Sequence, residues 1–100
     1  MRRREVIDRL KKAEPALRRL GVEALYLFGS QARDEARSES DIDVFIDPAS
    51  GRDFGFLPFM SAYDTICRAV GTDAGVGYST RKGLDPYIRP EAERQAIRVF

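Results

Sequence analysis

The sequence contains no histidine and a single cysteine, Cys67. Without histidine the chain cannot form a Ser-His-Asp triad, a Cys-His pair or the usual zinc site. One cysteine excludes an intrachain disulfide and fits a reducing cytoplasm, which is the expected location. Most hydrolase mechanisms are therefore excluded, and carboxylate and metal chemistry remain.

Long apolar runs are also missing. The longest are far shorter than the roughly 20 residues of a membrane span, so no transmembrane segment is expected. The basic start MRRREVIDRL lacks the apolar stretch of a secretory signal. A composition of 43% hydrophobic and 33% charged residues is typical of a soluble globular protein. The length of 100 residues predicts one domain spanning residues 1–100.

The net charge of only +1 conceals a basic stretch at the start of the chain. Eight cationic residues lie within the first twenty: Arg2, Arg3, Arg4, Arg9, Lys11, Lys12, Arg18 and Arg19. Such a surface could bind nucleic acid or an acidic partner, but a charge-rich helix face is more often simply solvated. Nucleic acid is therefore not expected as the partner.

Apolar residues in the first twenty positions recur at helical spacing. Val6, Leu10 and Leu17 belong to this series, which predicts an amphipathic helix over residues 3–20 that covers one face of a sheet. Pro15 should kink or restart the helix, and Gly21 should end it.

A short apolar run over residues 24–28 predicts a buried strand, and Gly29-Ser30 follows it as a turn. Glycine lets the backbone approach a ligand closely. If residues 31 to about 36 begin a helix, the free amide groups at its start favour binding of a phosphate at this turn. A Gly-Ser pair by itself, however, is also an ordinary turn.

The second strand, residues 41–47, alternates in character. Its period of two places the branched residues on one face and Asp41 and Asp43 on the other. The two Cα atoms should lie about 6.5 Å apart, close enough for both carboxylates to share a Mg²⁺ ion. Asp47 shares their face but lies about 13 Å beyond Asp43, too far for the same ion. Taken alone, the alternation is equally typical of a solvated sheet edge.

The remaining pattern predicts a loop over residues 48–52, a helix over 54–70 with Pro58 in its first turn, and a loop over 71–75. A third strand should span 76–80, a helix interrupted near Pro90 should span 84–95, and a strand or extended tail should follow over 97–100. The strands 24–28 and 41–47 need not be parallel, because the connection between them is short. We predict an α/β (α+β) fold, a small mixed sheet with helices packed on it.

Taken in order, Gly29-Ser30, Arg33 and Ser40-Asp41-x-Asp43 resemble the signature of the polymerase-beta-like nucleotidyltransferases. They are most similar to the minimal nucleotidyltransferases found beside HEPN-domain toxins. The late Gly83-Leu84-x-Pro86 segment and the closing residues also resemble that family, so the likeness covers nearly the whole chain.

The resemblance implies a role for each motif residue. Gly29, Ser30, Arg33 and Ser40 would bind ATP or another nucleoside triphosphate. Asp41 and Asp43 would be the catalytic metal ligands for Mg²⁺. The implied activity is transfer of AMP to a hydroxyl of a HEPN-domain toxin, with this chain as the antitoxin. Arg33 alone is equally compatible with a solvated helix face, and the oligomeric state, a homo-oligomer included, stays open.

One position departs from the family pattern. The family carries a third carboxylate on a later strand, and Gly77 stands at that place here. The alternative function is therefore a catalytically impaired homologue that acts as a nucleotide-binding or partner-binding module. Asp73 is either a substitute acid or a loop cap. Tyr78 is expected in the core, and the alternative is that its side chain is a target of covalent modification. Arg81 and Lys82 either contact phosphates or are solvated.

Overall fold

A computed structural model of the protein describes residues 2–33, 41–51, 53–71 and 75–100. Within these ranges the chain forms a mixed α/β structure around a four-stranded sheet with strand order β3-β2-β1-β4. None of the helices in these ranges is long and apolar enough to cross a bilayer. The elements are α1 (Arg3–Lys12), α2 (Glu14–Leu20), β1 (Val22–Phe28), α3 (Gly29–Ala32), β2 (Ile42–Pro48), α4 (Phe56–Val70), β3 (Val76–Thr80), α5 (Arg89–Gln95) and β4 (Ile97–Arg98).

The predicted first helix is two helices, α1 and α2, separated at Ala13. Pro15 lies in the first turn of α2, where a missing N–H costs nothing because that group has no partner within the helix. Gly21 ends α2 with a left-handed φ of 107°, and its amide donates to the carbonyl of Arg18 at 3.1 Å. The predicted restart at Pro15 and the predicted end at Gly21 are both confirmed.

The central strand β2 pairs with β1 in antiparallel fashion and with β3 in parallel fashion. A parallel pair needs a long crossover connection, which α4 supplies between β2 and β3. The orientation of the first two strands, which the sequence left open, is therefore antiparallel. This arrangement places the end of β1 and the starts of β2 and β3 at the same edge of the sheet.

The main core lies between one face of the sheet and helices α1, α2 and α4. Ile42, Val44 and Ile46 point into it and are at most 1% exposed, as their alternation predicted. Each such side chain contributes about 1.5–3 kcal/mol by its burial. Phe45, on the opposite face, is buried as well, because Tyr26 stacks on its ring at 4.9 Å. The sequence pattern did not predict this second, aromatic layer.

Three predicted helices have different limits in the structure, and the one predicted over 54–70 begins at Phe56. The helix predicted over 84–95 spans only Arg89–Gln95, because Pro90 stands in its first turn and no helix continues upstream. Asp85 holds the preceding segment in turns: its carboxylate accepts from the amide of Tyr87 at 2.8 Å, and its carbonyl accepts from the amides of Ile88 and Arg89. The short helix predicted over 31–36 begins at Gly29 instead, and its residues 34–36 lie outside the described ranges.

Several basic residues of the first twenty join parts of the fold. Arg3 donates to the carbonyl of Ala32 at 3.1 Å, and Arg9 donates to the carbonyl of Val70 at 2.8 Å. Arg18 pairs with a glutamate one turn earlier on α2. These contacts give the three arginines structural roles.

Arg81 joins β2, β3 and α5. Its Nε and Nη2 atoms each donate to one oxygen of Asp47 at 2.9 Å, and its Nη1 donates to Glu93 at 2.8 Å. The guanidinium also lies over the rings of Tyr26 and Phe45, 4.8 and 5.0 Å from their centroids. The structure therefore gives this side chain partners in the fold that neither interpretation from the sequence, a phosphate ligand or a solvated charge, included.

Replacing Arg81 with Ala is expected to lower the free energy of unfolding by about 2 kcal/mol, because a two-pronged ion pair and a cation–π contact disappear together. Arg68→Ala is the matched control: Arg68 also pairs with an aspartate, but its side chain is 80% exposed, so its loss should change stability little. Urea unfolding of both variants provides the measurement. Equal losses would contradict the structural role given to Arg81.

Candidate active site

The structure brings the Gly29 turn and the two strand acids together at one edge of the sheet. In the strand register, Asp43 lies between Phe28 on β1 and Gly77 on β3. Gly29 directly follows Phe28, so the turn adjoins Asp43. Asp41 lies just before β2, where the amide of Ile42 donates to the carbonyl of Gly75 at 2.8 Å.

The carboxylate of Asp43 fits between two glycines. A Cβ atom at Gly29 would lie 2.7 Å from its Oδ2, and a Cβ atom at Gly77 would lie 2.5 Å from its Oδ1. Gly29 also has a φ of 74°, which disfavours any side chain, whereas the φ of Gly77 is not in the left-handed region. A Cβ atom at Gly75 would likewise meet Oδ1 of Asp41. Glycines therefore keep the space beside both carboxylates free of side chains.

The two carboxylates lack a compensating positive charge within the described ranges, where no salt bridge to either is found. Asp41 is exposed and Asp43 is half-buried. Burial, and secondly the charge of Asp41, raise the pKa of Asp43 above its ordinary value. A cation beside the pair would relieve both effects.

The donor set suits Mg²⁺, which proteins typically hold with one or two carboxylates together with substrate phosphates. Among the described residues no group of three or more His, Cys, Asp or Glu side chains could hold a metal ion. Among the described residues, Asp41 and Asp43 are thus the carboxylates that an ion at this site would use, with water and a bound phosphate as further ligands.

The other predicted ligands lie in or beyond the Gly29 turn. Ser30 belongs to α3, and the amide of Arg33 donates to the carbonyl of Gly29 at 3.2 Å. The guanidinium of Arg33 donates to Oε1 of Gln95 at 2.9 Å, so a contact with α5 helps to place it. Ser40 and Asp73 lie outside the described ranges.

The sequence reading overlooked the aromatic surface beside the acids. Phe28 packs against Phe45 with ring centroids 5.6 Å apart, and both share the sheet face of Asp43. The spacing Asp43-x-Phe45 was the available signal, since alternate residues of a strand share a face.

Tyr78 does lie against the core, as expected: its hydroxyl donates to the carbonyl of Phe59 at 2.9 Å, and burial raises its pKa.

Comparison with known proteins agrees with this geometry. A family model described as the nucleotidyltransferase domain matches residues 4–93. The chain belongs to that family. A relative from Methanocaldococcus jannaschii, provisionally named protein adenylyltransferase MJ1379, is 28% identical to this nucleotidyltransferase domain over 97 residues, which is 95% of each chain.

Solved structures resemble the nucleotidyltransferase domain along nearly its whole length. One, provisionally named a minimal nucleotidyltransferase, has a TM-score of 0.76 and 28% identity and covers 97% of this chain and 95% of its own. A toxin–antitoxin crystal structure with AMP-PNP has a TM-score of 0.64 at 18% identity, covering 90% of this chain and 72% of its own. A nucleotidyltransferase provisionally assigned in Sulfolobus solfataricus has a TM-score of 0.55 at 15% identity, covering 96% and 80%. The last two show the fold alone.

These findings confirm the fold class and the minimal nucleotidyltransferase resemblance that the sequence motifs indicated. In the described part of the nucleotidyltransferase domain, the motif residues come together where the Gly29 turn adjoins Asp41 and Asp43.

Proposed function

We propose that this chain is a Mg²⁺-dependent nucleotidyltransferase that transfers AMP from ATP, or a nucleoside monophosphate from another triphosphate, to a hydroxyl of a partner protein. The observation that carries the proposal is the carboxylate of Asp43, half-buried between Gly29 and Gly77 with Asp41 beside it and with no salt bridge to any described residue. The relative named as a protein adenylyltransferase supports a protein as the acceptor.

Each motif residue has a role in this proposal. Asp41 and Asp43 hold Mg²⁺, which would neutralise charge on the transferred phosphoryl group. The turn at Gly29-Ser30, with Arg33 and Ser40, binds the triphosphate. The acceptor oxygen attacks the α-phosphorus, the bond to the bridging oxygen breaks, and pyrophosphate leaves with the electron pair while the hydroxyl proton passes to water.

The partner in this proposal is a HEPN-domain toxin, with this chain as its cytoplasmic antitoxin. A domain of 100 residues has little room for an acceptor site, so the partner would supply it. The structural likeness to a toxin–antitoxin with AMP-PNP is the support for a toxin and an adenine nucleotide as partners.

A second candidate function follows from Gly77, which lies beside Asp43 where the family carries its third acid. Positioning or general-base help of that kind is worth roughly 10²- to 10⁴-fold in rate. Without it, the chain would bind nucleotide and partner but transfer slowly, and it would neutralise the partner by binding alone.

Labelled ATP separates the two functions. The purified protein is incubated with Mg²⁺ and α-labelled ATP, with and without the protein encoded by the adjacent gene. Label on the partner is the expected result, and γ-labelled ATP as the control should leave no label if the α-phosphoryl group is transferred. A stable complex without label would favour the binding module.

Gly77→Asp in the same assay tests the position of the missing acid. Its ordinary φ permits an aspartate, although the carboxylate of Asp43 must shift to admit the new Cβ. Gly77→Ala is the matched control, because it adds the same Cβ beside Asp43 without the acid. Transfer by Gly77→Asp is expected to exceed transfer by Gly77→Ala. A folded Gly77→Asp variant no more active than Gly77→Ala would contradict the correspondence between Gly77 and the family's third carboxylate.

A further inference from the structure

Strand β3 lies at an edge of the sheet. The strand order β3-β2-β1-β4 gives it β2 as its sheet neighbour within the described ranges. An edge strand presents backbone N–H and C=O groups that have no partner in the sheet, and proteins usually protect it with charge, proline or short length. Strand β3, Val-Gly-Tyr-Ser-Thr, has five residues and neither charge nor proline. The opposite edge, β4, has only two residues, one of them Arg98.

Two hydrogen bonds at the ends of β3 show which of its backbone groups face outward. The amide of Ile42 donates to the carbonyl of Gly75 at 2.8 Å, and the amide of Arg81 donates to a carbonyl of β2 at 3.0 Å. Backbone groups of successive strand residues point to alternate sides, so the odd-numbered residues from 75 to 81 face β2. The amides and carbonyls of Val76 and Tyr78 therefore point away from the sheet. No partner for them is found in the part of the chain that the structure describes.

This free edge adjoins the candidate active site. Gly77 lies opposite Asp43 in the register of β2 and β3, and its lack of a side chain leaves Oδ1 of Asp43 facing β3. Gly75 lies two residues earlier on the same face and leaves Oδ1 of Asp41 facing it in the same way. At these two positions no side chain of the edge stands between the outside of β3 and the carboxylates.

An added strand antiparallel to β3 would place one residue directly opposite Gly77. Its hydrogen bonds would form at Val76 and Tyr78, so the residue opposite Gly77 belongs to a non-hydrogen-bonded pair, in which the Cα atoms lie about 4.5 Å apart. The side chain of that residue shares the sheet face of Asp43, and its Cα atom lies about 9 Å from that of Asp43. A serine, threonine or tyrosine there would direct its hydroxyl toward a phosphate held beside Asp43.

We propose that an extended segment of the acceptor protein binds as a fifth strand on the free edge of β3, with its acceptor hydroxyl on the residue opposite Gly77. Backbone hydrogen bonds at Val76 and Tyr78 would supply the affinity, and the gap at Gly77 would select the position of the hydroxyl. The role of that hydroxyl as acceptor rests on the proposed function, whereas binding of a strand at this edge does not.

A second copy of the chain suits this edge less well than an extended segment of another protein. Pairing of β3 with itself would bring the Asp41 and Asp43 carboxylates of both copies to the same edge, and like charges repel.

A short peptide tests the strand site. Acetyl-Thr-Val-Tyr-Val-Thr-amide carries a central tyrosine, and its two valines are placed to exchange hydrogen bonds with Val76 and Tyr78. NMR of the ¹⁵N-labelled protein measures amide exchange with solvent, with and without the peptide at about 3 mM, which suits millimolar affinity. Exchange at Val76 and Tyr78 is expected to slow at least twofold. The amides of Gly77 and Ser79, which face β2, should change little.

The matched control peptide carries an N-methyl group on each valine. It has the same side chains but cannot donate at those two positions, so it should give no protection. Unchanged exchange with the unmodified peptide would overturn the proposal, as would equal protection by the two peptides. Protection of Val76 and Tyr78 that rises with protein concentration in the absence of peptide would assign the edge to a second copy and would also overturn it.

Val76→Pro tests the same edge from the side of the protein. Proline removes the outward N–H and keeps the hydrogen bonds to β2, as is tolerated on an edge strand. Val76→Ala is the matched control, because it loses the side chain that packs against the core but keeps the N–H. The slowing at Tyr78 is expected to disappear in Val76→Pro and to persist in Val76→Ala, with thermal unfolding confirming that both are folded. Slowing that persists in both would contradict the strand site.

Mg²⁺ and α-labelled ATP, added with the same peptide, separate the strand site from the transferase activity. Label on the peptide tyrosine, absent with the N-methylated peptide, is the expected result. Protection without label would support the strand site and favour the binding module. Label without protection would support the activity and overturn the strand site.

Discussion

Replacing Asp41 and Asp43 together with Asn is expected to abolish Mg²⁺-dependent ATP binding, with a loss of affinity of more than about 100-fold. The reason is that these two carboxylates are the ligands that the described part of the chain offers to the ion at this edge of the sheet. Isothermal titration of ATP into the protein, with and without Mg²⁺, measures the loss.

The matched control is Asp53→Asn with Asp64→Asn. It removes the same two charges from exposed positions outside the candidate active site, so it should leave ATP affinity unchanged. An unaltered affinity in the Asp41 and Asp43 variant would refute the proposed metal site. Similar losses in both variants would indicate a general effect of net charge instead.

The single variant Asp43→Asn should also stabilise the metal-free protein. Folding raises the pKa of Asp43, through burial and then through Asp41, so the protonated form is the one that the fold favours. The stability that this carboxyl group contributes when protonated is fully present below its unfolded pKa near 3.8. It is lost as pH rises through the pKa of the folded state. At pH 7 without Mg²⁺, the variant should therefore unfold at a higher temperature than the wild type, and the difference should vanish in acid.

Replacing Gly29 with Ala is expected to cause the second large loss. The new Cβ would lie 2.7 Å from Oδ2 of Asp43, so the carboxylate must move away from the place where the ion would be held. The left-handed φ of 74° adds strain of about 1–2 kcal/mol. We expect at least tenfold weaker Mg²⁺-dependent ATP binding together with lower stability in urea.

Gly51→Ala separates the two causes. Gly51 has a similar φ of 78°, but nothing lies within 4 Å of the added Cβ. This control should show the strain alone: reduced stability with unchanged ATP affinity. If Gly51→Ala weakened ATP binding as much as Gly29→Ala, the close approach of Gly29 to Asp43 would not be the cause.

The sequence predicted the family and most of the fold because its local signals were strong. Gly21 and Pro15 defined the limits of α2, and the alternation through Ile42 and Val44 identified the buried face of β2. The predictions failed where a contact from elsewhere in the chain decided the outcome. Arg81 is enclosed by Asp47 and Glu93, which are distant in sequence, so no local pattern could reveal its environment.

The sequence by itself determined that carboxylate and metal chemistry was available, because it contains no histidine and places Asp41 and Asp43 on one face of a strand. Only the tertiary structure decided what surrounds that pair. Pairing of β2 with an antiparallel and a parallel neighbour brings Gly29 and Gly77 to either side of Asp43. The physical reason is that strand direction and register are set by packing between distant segments, whereas the face on which a side chain lies is set by the local backbone.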